Sequence, residues 1–199
     1  MSTIRTTYDQ AELAFAAYSV LRRGATGVGD NLLALQRDGL TLRQAEEFAL
    51  RYPEVIEQVN DPASGFSMTV FRDTSGGIAL AMRGSEPDLN DWLPTNTNIL
   101  INGAGYQQIV ALYNAWQRLT HRLGETITVY RVDLSNVANP VIAETLINDL
   151  GTAAAPLVSP GAAVDAAGHS TGGHLALAFA GLFPINARQV HAFNAPGFI

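Results

Sequence analysis

Ser170 stands at the centre of the pattern Gly168-His169-Ser170-Thr171-Gly172, after a short run of small residues at 164–167 and before an apolar stretch that begins at Leu175. A strand before such a pattern and a helix after it make a nucleophile elbow. The serine then sits on a sharp turn that pushes its hydroxyl out of the sheet. Gly168 and Gly172 flank it at the two positions where a Cβ would collide as strand and helix close on each other. The turn also brings the helix N-terminus, with its N–H groups, beside the hydroxyl. The chemistry such a turn serves is acyl transfer through a serine ester.

A serine that attacks an ester carbonyl needs donors for the oxyanion that forms. One is the backbone N–H of the residue after the nucleophile, here Thr171. The other is expected from a loop at the carboxyl end of an earlier strand. Met82-Arg83-Gly84-Ser85-Glu86 lies at such a place, following the apolar run 77–83. Gly84 permits a close turn, and Ser85 offers both a backbone N–H and a hydroxyl.

The elements that must hold these groups follow from pattern. Residues 9–23 carry Leu13, Ala14, Ala17, Tyr18 and Leu21 at helical spacing. Thr41 opens a second predicted helix with a capping-box spacing to Gln44, running to about Tyr52 before Pro53. Residues 66–72 alternate as a strand, residues 73–77 form a turn, and residues 77–83 read as a buried strand, so the two make a hairpin. A helix is predicted over 107–123, a strand over 126–132, a helix over 139–151, a loop over 152–162, and a strand over 189–194. The unit strand–elbow–helix–strand implies a right-handed parallel crossover. The whole reads as α/β, with a largely parallel central sheet flanked by helices.

Bulk numbers narrow the partners. With 199 residues, 47% hydrophobic and 15% charged, the chain suits one well-packed domain and not a disordered one. A net charge of −6 disfavours nucleic acid as a partner. The absence of cysteine removes disulfides, thiolate metal sites and cysteine nucleophiles; no cofactor and no metal are expected. Residues 1–5 lack the apolar core of a secretory signal, and no run approaches the roughly 18 apolar residues of a membrane span. The chain is expected to be soluble as written, with any export signal elsewhere, such as at a C-terminus.

Taken together, Ala81-Met82-Arg83-Gly84-Ser85-Glu86, then Asp91-Trp92-Leu93, then Gly105-Tyr106 leading a helix, then Gly168-His169-Ser170-Thr171-Gly172-Gly173, resemble the class 3 (fungal-type) lipases of the α/β-hydrolase fold. Phe193-Asn194-Ala195-Pro196-Gly197 resembles that family's strand ending in Phe-Gly-Ala-Pro. The resemblance covers about residues 66–199, and residues 1–65 match only in helical character, so one domain over 1–199 is expected. It implies a serine carboxylester hydrolase with Ser170 as nucleophile and Ser85 and Thr171 forming the oxyanion hole. A lipid or small ester is the implied substrate, with transient contact at a lipid interface. Two alternatives stay open: a non-catalytic interaction protein or inactive fragment on the same scaffold, and an acyltransferase or thioesterase.

Three departures from the family pattern stand out. Thr171 replaces the usual Leu, residues 124–163 are inserted before the elbow strand, and Asp165 falls inside that strand without an evident partner. The insert supplies Val137, Val141, Ile142, Leu146 and Ile147 to a lid or, more simply, to a crossover helix. A triad in this fold runs serine, acid, histidine along the chain, yet residues 171–199 contain no Asp or Glu. His174 reads as a helix-face residue and His191 as lying toward the amino edge of the sheet. The resemblance places His169 beneath the elbow, and His121 sits late in a helix. The chain therefore reads as the N-terminal part of a lipase, its sheet incomplete after Phe193. A C-terminal segment or second chain is expected to supply the remaining strands, the acid and the base.

Overall fold

Thr3 begins the first helix, because its side chain accepts the N–H of Thr6 at 3.1 Å. The computed structural model describes residues 3–24, 29, 31–84, 105–133, 135–136, 141–148 and 153–197. These fall into two compact units. One comprises Met1–Asn60, Ser67–Gly84 and Ala163–Pro196; the other comprises Asp61–Phe66, Ser85–Ala162 and Gly197–Ile199.

In the first unit, helix α1 (Ile4–Ala16) starts and stops earlier than its apolar spacing predicts. Its first turn was not legible because Ile4 is exposed. It stops where Gln58 takes over the backbone: the Gln58 amide donates to the Ser19 carbonyl at 2.8 Å, and Leu21 N–H donates to Gln58 Oε1 at 3.1 Å. A short α2 (Leu32–Arg37) leads to α3 (Leu42–Arg51), which opens with the expected capping box between Thr41 and Gln44.

A five-stranded sheet runs in the order β1 (Glu54–Asp61), β2 (Phe66–Arg72), β3 (Ile78–Met82), β6 (Val164–His169), β7 (Ala187–Phe193). β2 and β3 form the expected antiparallel hairpin, with Met68 opposite Met82 and Arg72 opposite Ile78. The Asp73 carboxylate closes its turn by accepting the N–H groups of Ser75 at 2.7 Å and Gly77 at 2.8 Å. β3 pairs β6 in parallel, and β6 pairs β7 in parallel. β1 has no alternating pattern to announce it. It is held to β2 by side chains across the strands, with Glu54 accepting from Arg72 at 2.8 Å and Gln58 donating to Thr69 at 2.8 Å.

Helices cover both faces of this sheet. Ala79, Ala81 and Ala167 point one way, into a core with Leu13, Ala14, Ala17, Phe48 and Phe71. Gly168, next in line on β6, points the other way, against helix α5 (Thr171–Leu182). The small residues on β3 and β6 let helices pack close to the strands. The fold is thus mixed α/β, a sheet with parallel strands between helices.

In the second unit, helix α4 (Tyr106–Thr120) packs on β4 (Thr126–Asp133). Asn114 joins them: its amide donates to the Tyr130 carbonyl at 2.8 Å, and its Oδ1 accepts the Tyr130 N–H at 2.9 Å. The region read as a helix over 139–151 is instead strand β5 (Val141–Asn148) where it is described. β5 pairs β4 antiparallel in a separate two-stranded sheet, Tyr130 opposite Glu144, so β4 does not join the central sheet. Val141, Ile142, Thr145 and Ile147 are β-branched, which favours the pleated backbone over the helix their spacing also permits.

Candidate active site

β6 ends at His169, and the chain turns at Ser170 with φ +55° and ψ −128° before α5 begins at Thr171. This backbone region is costly for a residue with a Cβ. Three hydrogen bonds hold it. Ser170 N–H donates to the Phe193 carbonyl at 2.9 Å, and the Ser170 carbonyl accepts Gly173 N–H at 3.0 Å and His174 N–H at 3.2 Å. Ser170 is therefore at once the end of a strand and the cap of a helix.

The two flanking glycines are where the sequence pattern needs them. A Cβ on Gly168 would run into the backbone of Gly172, and a Cβ on Gly172 would run into the Met82 carbonyl. Strand β6, helix α5 and the end of β3 meet with no room for a side chain. Gly84, just past β3, also lies beside the turn. A Cβ there would come 3.4 Å from Ser170 Cβ, 2.7 Å from the His169 carbonyl and 2.6 Å from the Tyr18 hydroxyl. Gly84, the last described residue after β3, thus lies next to Ser170. Thr171 is buried at the first position of α5. Ser85 and Asp91-Trp92 lie outside the described residues.

Tyr18 was not singled out from the sequence. It follows α1, far from the elbow in the chain, and its hydroxyl lies 3.5 Å from His169 Nδ1. Only its place in a helical pattern was visible; no local signal points it at Ser170.

The four histidines each face another group. His174 is wholly buried, and its Nδ1–H donates to the Pro196 carbonyl at 3.1 Å. Burial holds its pKa below the usual value, with the Pro196 bond acting the other way, so the ring is neutral at pH 7. His121 caps α4 and its Nδ1 donates to the Gln117 carbonyl at 2.8 Å. His191 lies midway along β7, opposite Ala167 and 3.5 Å from Gln189 Oε1. His169 corrects the family-based expectation: it is exposed and faces Tyr18, not packed beneath the elbow.

Asp165 has its partner. Arg188 on β7 grips it with both forks, Nε to Oδ1 and Nη2 to Oδ2, each at 2.8 Å. A register shift beside Asp165 accompanies the pair. The hydrogen bond and charge of Asp165 raise the Arg188 pKa further. Among the described residues, no group of three or more His, Cys, Asp or Glu is placed to hold a metal ion, and no helix is long and apolar enough to cross a membrane.

No protein-family model, no curated protein and no solved structure matches the chain.

Proposed function

We propose that the chain is a serine carboxylester hydrolase of lipase type on an α/β-hydrolase-like core, with Ser170 as its nucleophile. The observation that carries this reading is the backbone of Ser170, a non-glycine residue at positive φ between a parallel strand and the helix that follows it. Sparsely populated backbone of this kind persists where the surroundings over-determine it, and it clusters at active sites. Here three hydrogen bonds and two steric glycines do so.

In the proposed reaction the Ser170 Oγ attacks the ester carbonyl carbon and gives its proton to a base. The carbonyl oxygen becomes an oxyanion beside the start of α5, where Thr171 N–H donates, with Ser85 as the second donor. Each such donor is worth roughly 3 kcal/mol in the transition state. The C–O bond to the alcohol then breaks, the alcohol leaves with a proton, and water splits the acyl-enzyme. Because each histidine of this chain faces another group, the proposal assigns the base and its acid to a partner segment or chain.

A fluorophosphonate probe tests the nucleophile directly. The expected result is covalent labelling of the peptide containing Ser170 when the complete assembly is probed, lost in Ser170→Ala while circular dichroism is unchanged. Labelling at another serine, or undiminished labelling in Ser170→Ala, overturns the assignment. Release of free acid from a short-chain ester, against transfer to an added alcohol or thiol, separates hydrolysis from acyl transfer.

A further inference from the structure

The two-stranded ribbon of the second unit has one edge capped at a single residue and one edge open. On the capped side, Asn114 bonds both the N–H and the C=O of Tyr130, as a neighbouring strand would. Tyr130 therefore points its backbone away from β5. Glu144, directly opposite Tyr130, must then point its own N–H and C=O away from β4, because opposed residues in an antiparallel pair face together or away together. Ile142 and Leu146 share that direction. The outer edge of β5 thus presents a row of donors and acceptors with no strand against it among the described residues.

Of the usual edge protections it carries one charge, Glu144. It has no Lys, no Pro and no register shift over its eight residues. Three of its apolar side chains are exposed, Val141 by 60%, Ile142 by 47% and Leu146 by 66%. A two-stranded ribbon needs a helix or a third strand for support in water; α4 already packs on β4, and a strand added to β5 extends that support.

We infer that β5 pairs antiparallel with β5 of a second copy, about a two-fold axis at Glu144. The backbone directions require even-numbered residues to oppose even-numbered ones. Of the registers that satisfy this, the one centred on Glu144 sets Ile142 against Leu146 of the second copy and Val141 against Ile147, twice each. Centring on Ala143 or Thr145 instead sets Glu144 against Ile142 or Leu146. The cost of the chosen register is that Glu144 opposes itself. Tyr130 eases it: its hydroxyl donates to Glu144 Oε2 at 3.3 Å, drawing the carboxylate toward β4 and away from the axis. The result is a four-stranded sheet closed by two-fold symmetry. A seam this short falls below the roughly 1,200 Å² of a standard interface, so the dimer is a weak one. This inference does not rest on the proposed activity.

The chain holds no cysteine, which makes the register directly readable. In the paired strands the two Glu144 Cα atoms lie about 5.5 Å apart, inside disulfide range, whereas the two Leu146 positions are offset beyond it. Under mild oxidation Glu144→Cys is expected to run as a disulfide-linked dimer by intact mass, and Leu146→Cys as a monomer. In sedimentation runs up to about 0.5 mM, the wild-type chain is expected to associate with concentration and Leu146→Lys to stay monomeric with unchanged circular dichroism. Glu144→Gln should associate roughly fivefold more tightly, the upper end for relief of one like-charge cross-strand pair. Equal cross-linking at 144 and 146, or association that survives Leu146→Lys, overturns the inference.

Discussion

Replacing Ser170 by glycine should stabilise the fold relative to replacing it by alanine. At φ +55° and ψ −128°, a side chain costs about 1–3 kcal/mol, and glycine relieves that cost. Glycine also loosens the unfolded chain, which offsets about 0.5–1 kcal/mol of the gain. Both variants lack the hydroxyl, so their difference isolates the backbone, and the expected advantage of Ser170→Gly over Ser170→Ala is about 0.5–2 kcal/mol. Urea unfolding followed by far-ultraviolet circular dichroism reads it. With a slope of about 2 kcal/mol per molar urea, the midpoints should differ by roughly 0.3–1 M, glycine the higher. Neither variant should take up a fluorophosphonate. An alanine variant as stable as the glycine variant would mean that the turn at 170 stores no strain, and the reasoning from its backbone to catalysis would fall with it.

Gly172→Ala drives a Cβ into the Met82 carbonyl and should cost about 3 kcal/mol, the upper range for overpacking; a melting temperature equal to wild type would place α5 further from β3. Asp165→Asn weakens the Arg188 fork, and because Arg188 is 48% exposed the expected loss is only about 1 kcal/mol, shrinking with added salt. His174 has its folded pKa lowered by burial, so the unfolded chain takes up the proton first. Its contribution is complete above the unfolded value of about 6.5 and is lost as pH falls below it. His174→Gln should flatten that part of the stability–pH curve, measured by urea midpoints between pH 7 and 5.

The elbow was legible because everything it needs is local: two glycines two residues either side of a serine, a strand before and a helix after. The hairpin was legible for the same reason, with alternation over 66–72 and a Gly-rich turn. What escaped depends on partners distant in the chain. Asp165 looked stranded because Arg188 reaches it only through the parallel pairing of β6 with β7 and the shift beside it. Tyr18 gave no sign of lying near the elbow, and the helix expected over 9–23 ends at Ala16, with Gln58 holding the backbone at Ser19 and Leu21. At β5, Val141, Ile142 and Leu146 satisfy both a helical and a strand period. The choice was made by Thr126–Asp133, which offers a strand to pair with.

The pairing of β3 with β6 joins residues 78–82 to residues 164–168, with almost the whole second unit between them in sequence. Closing a loop that long costs on the order of 4 kcal/mol of chain entropy before any contact repays it. On a ribosome, the hairpin and the helices before it can form while β6 is still unmade, and their apolar face must wait for Ala167 to arrive. The turn at Ser170 is bonded within the unit from β6 to β7, but the close approach of Gly172 to Met82 completes its restraints only when β6 docks on β3. A chain that loses its grip at this seam loses that restraint on the serine's geometry first, before its helices melt, so labelling of Ser170 would report the onset of unfolding sooner than circular dichroism does.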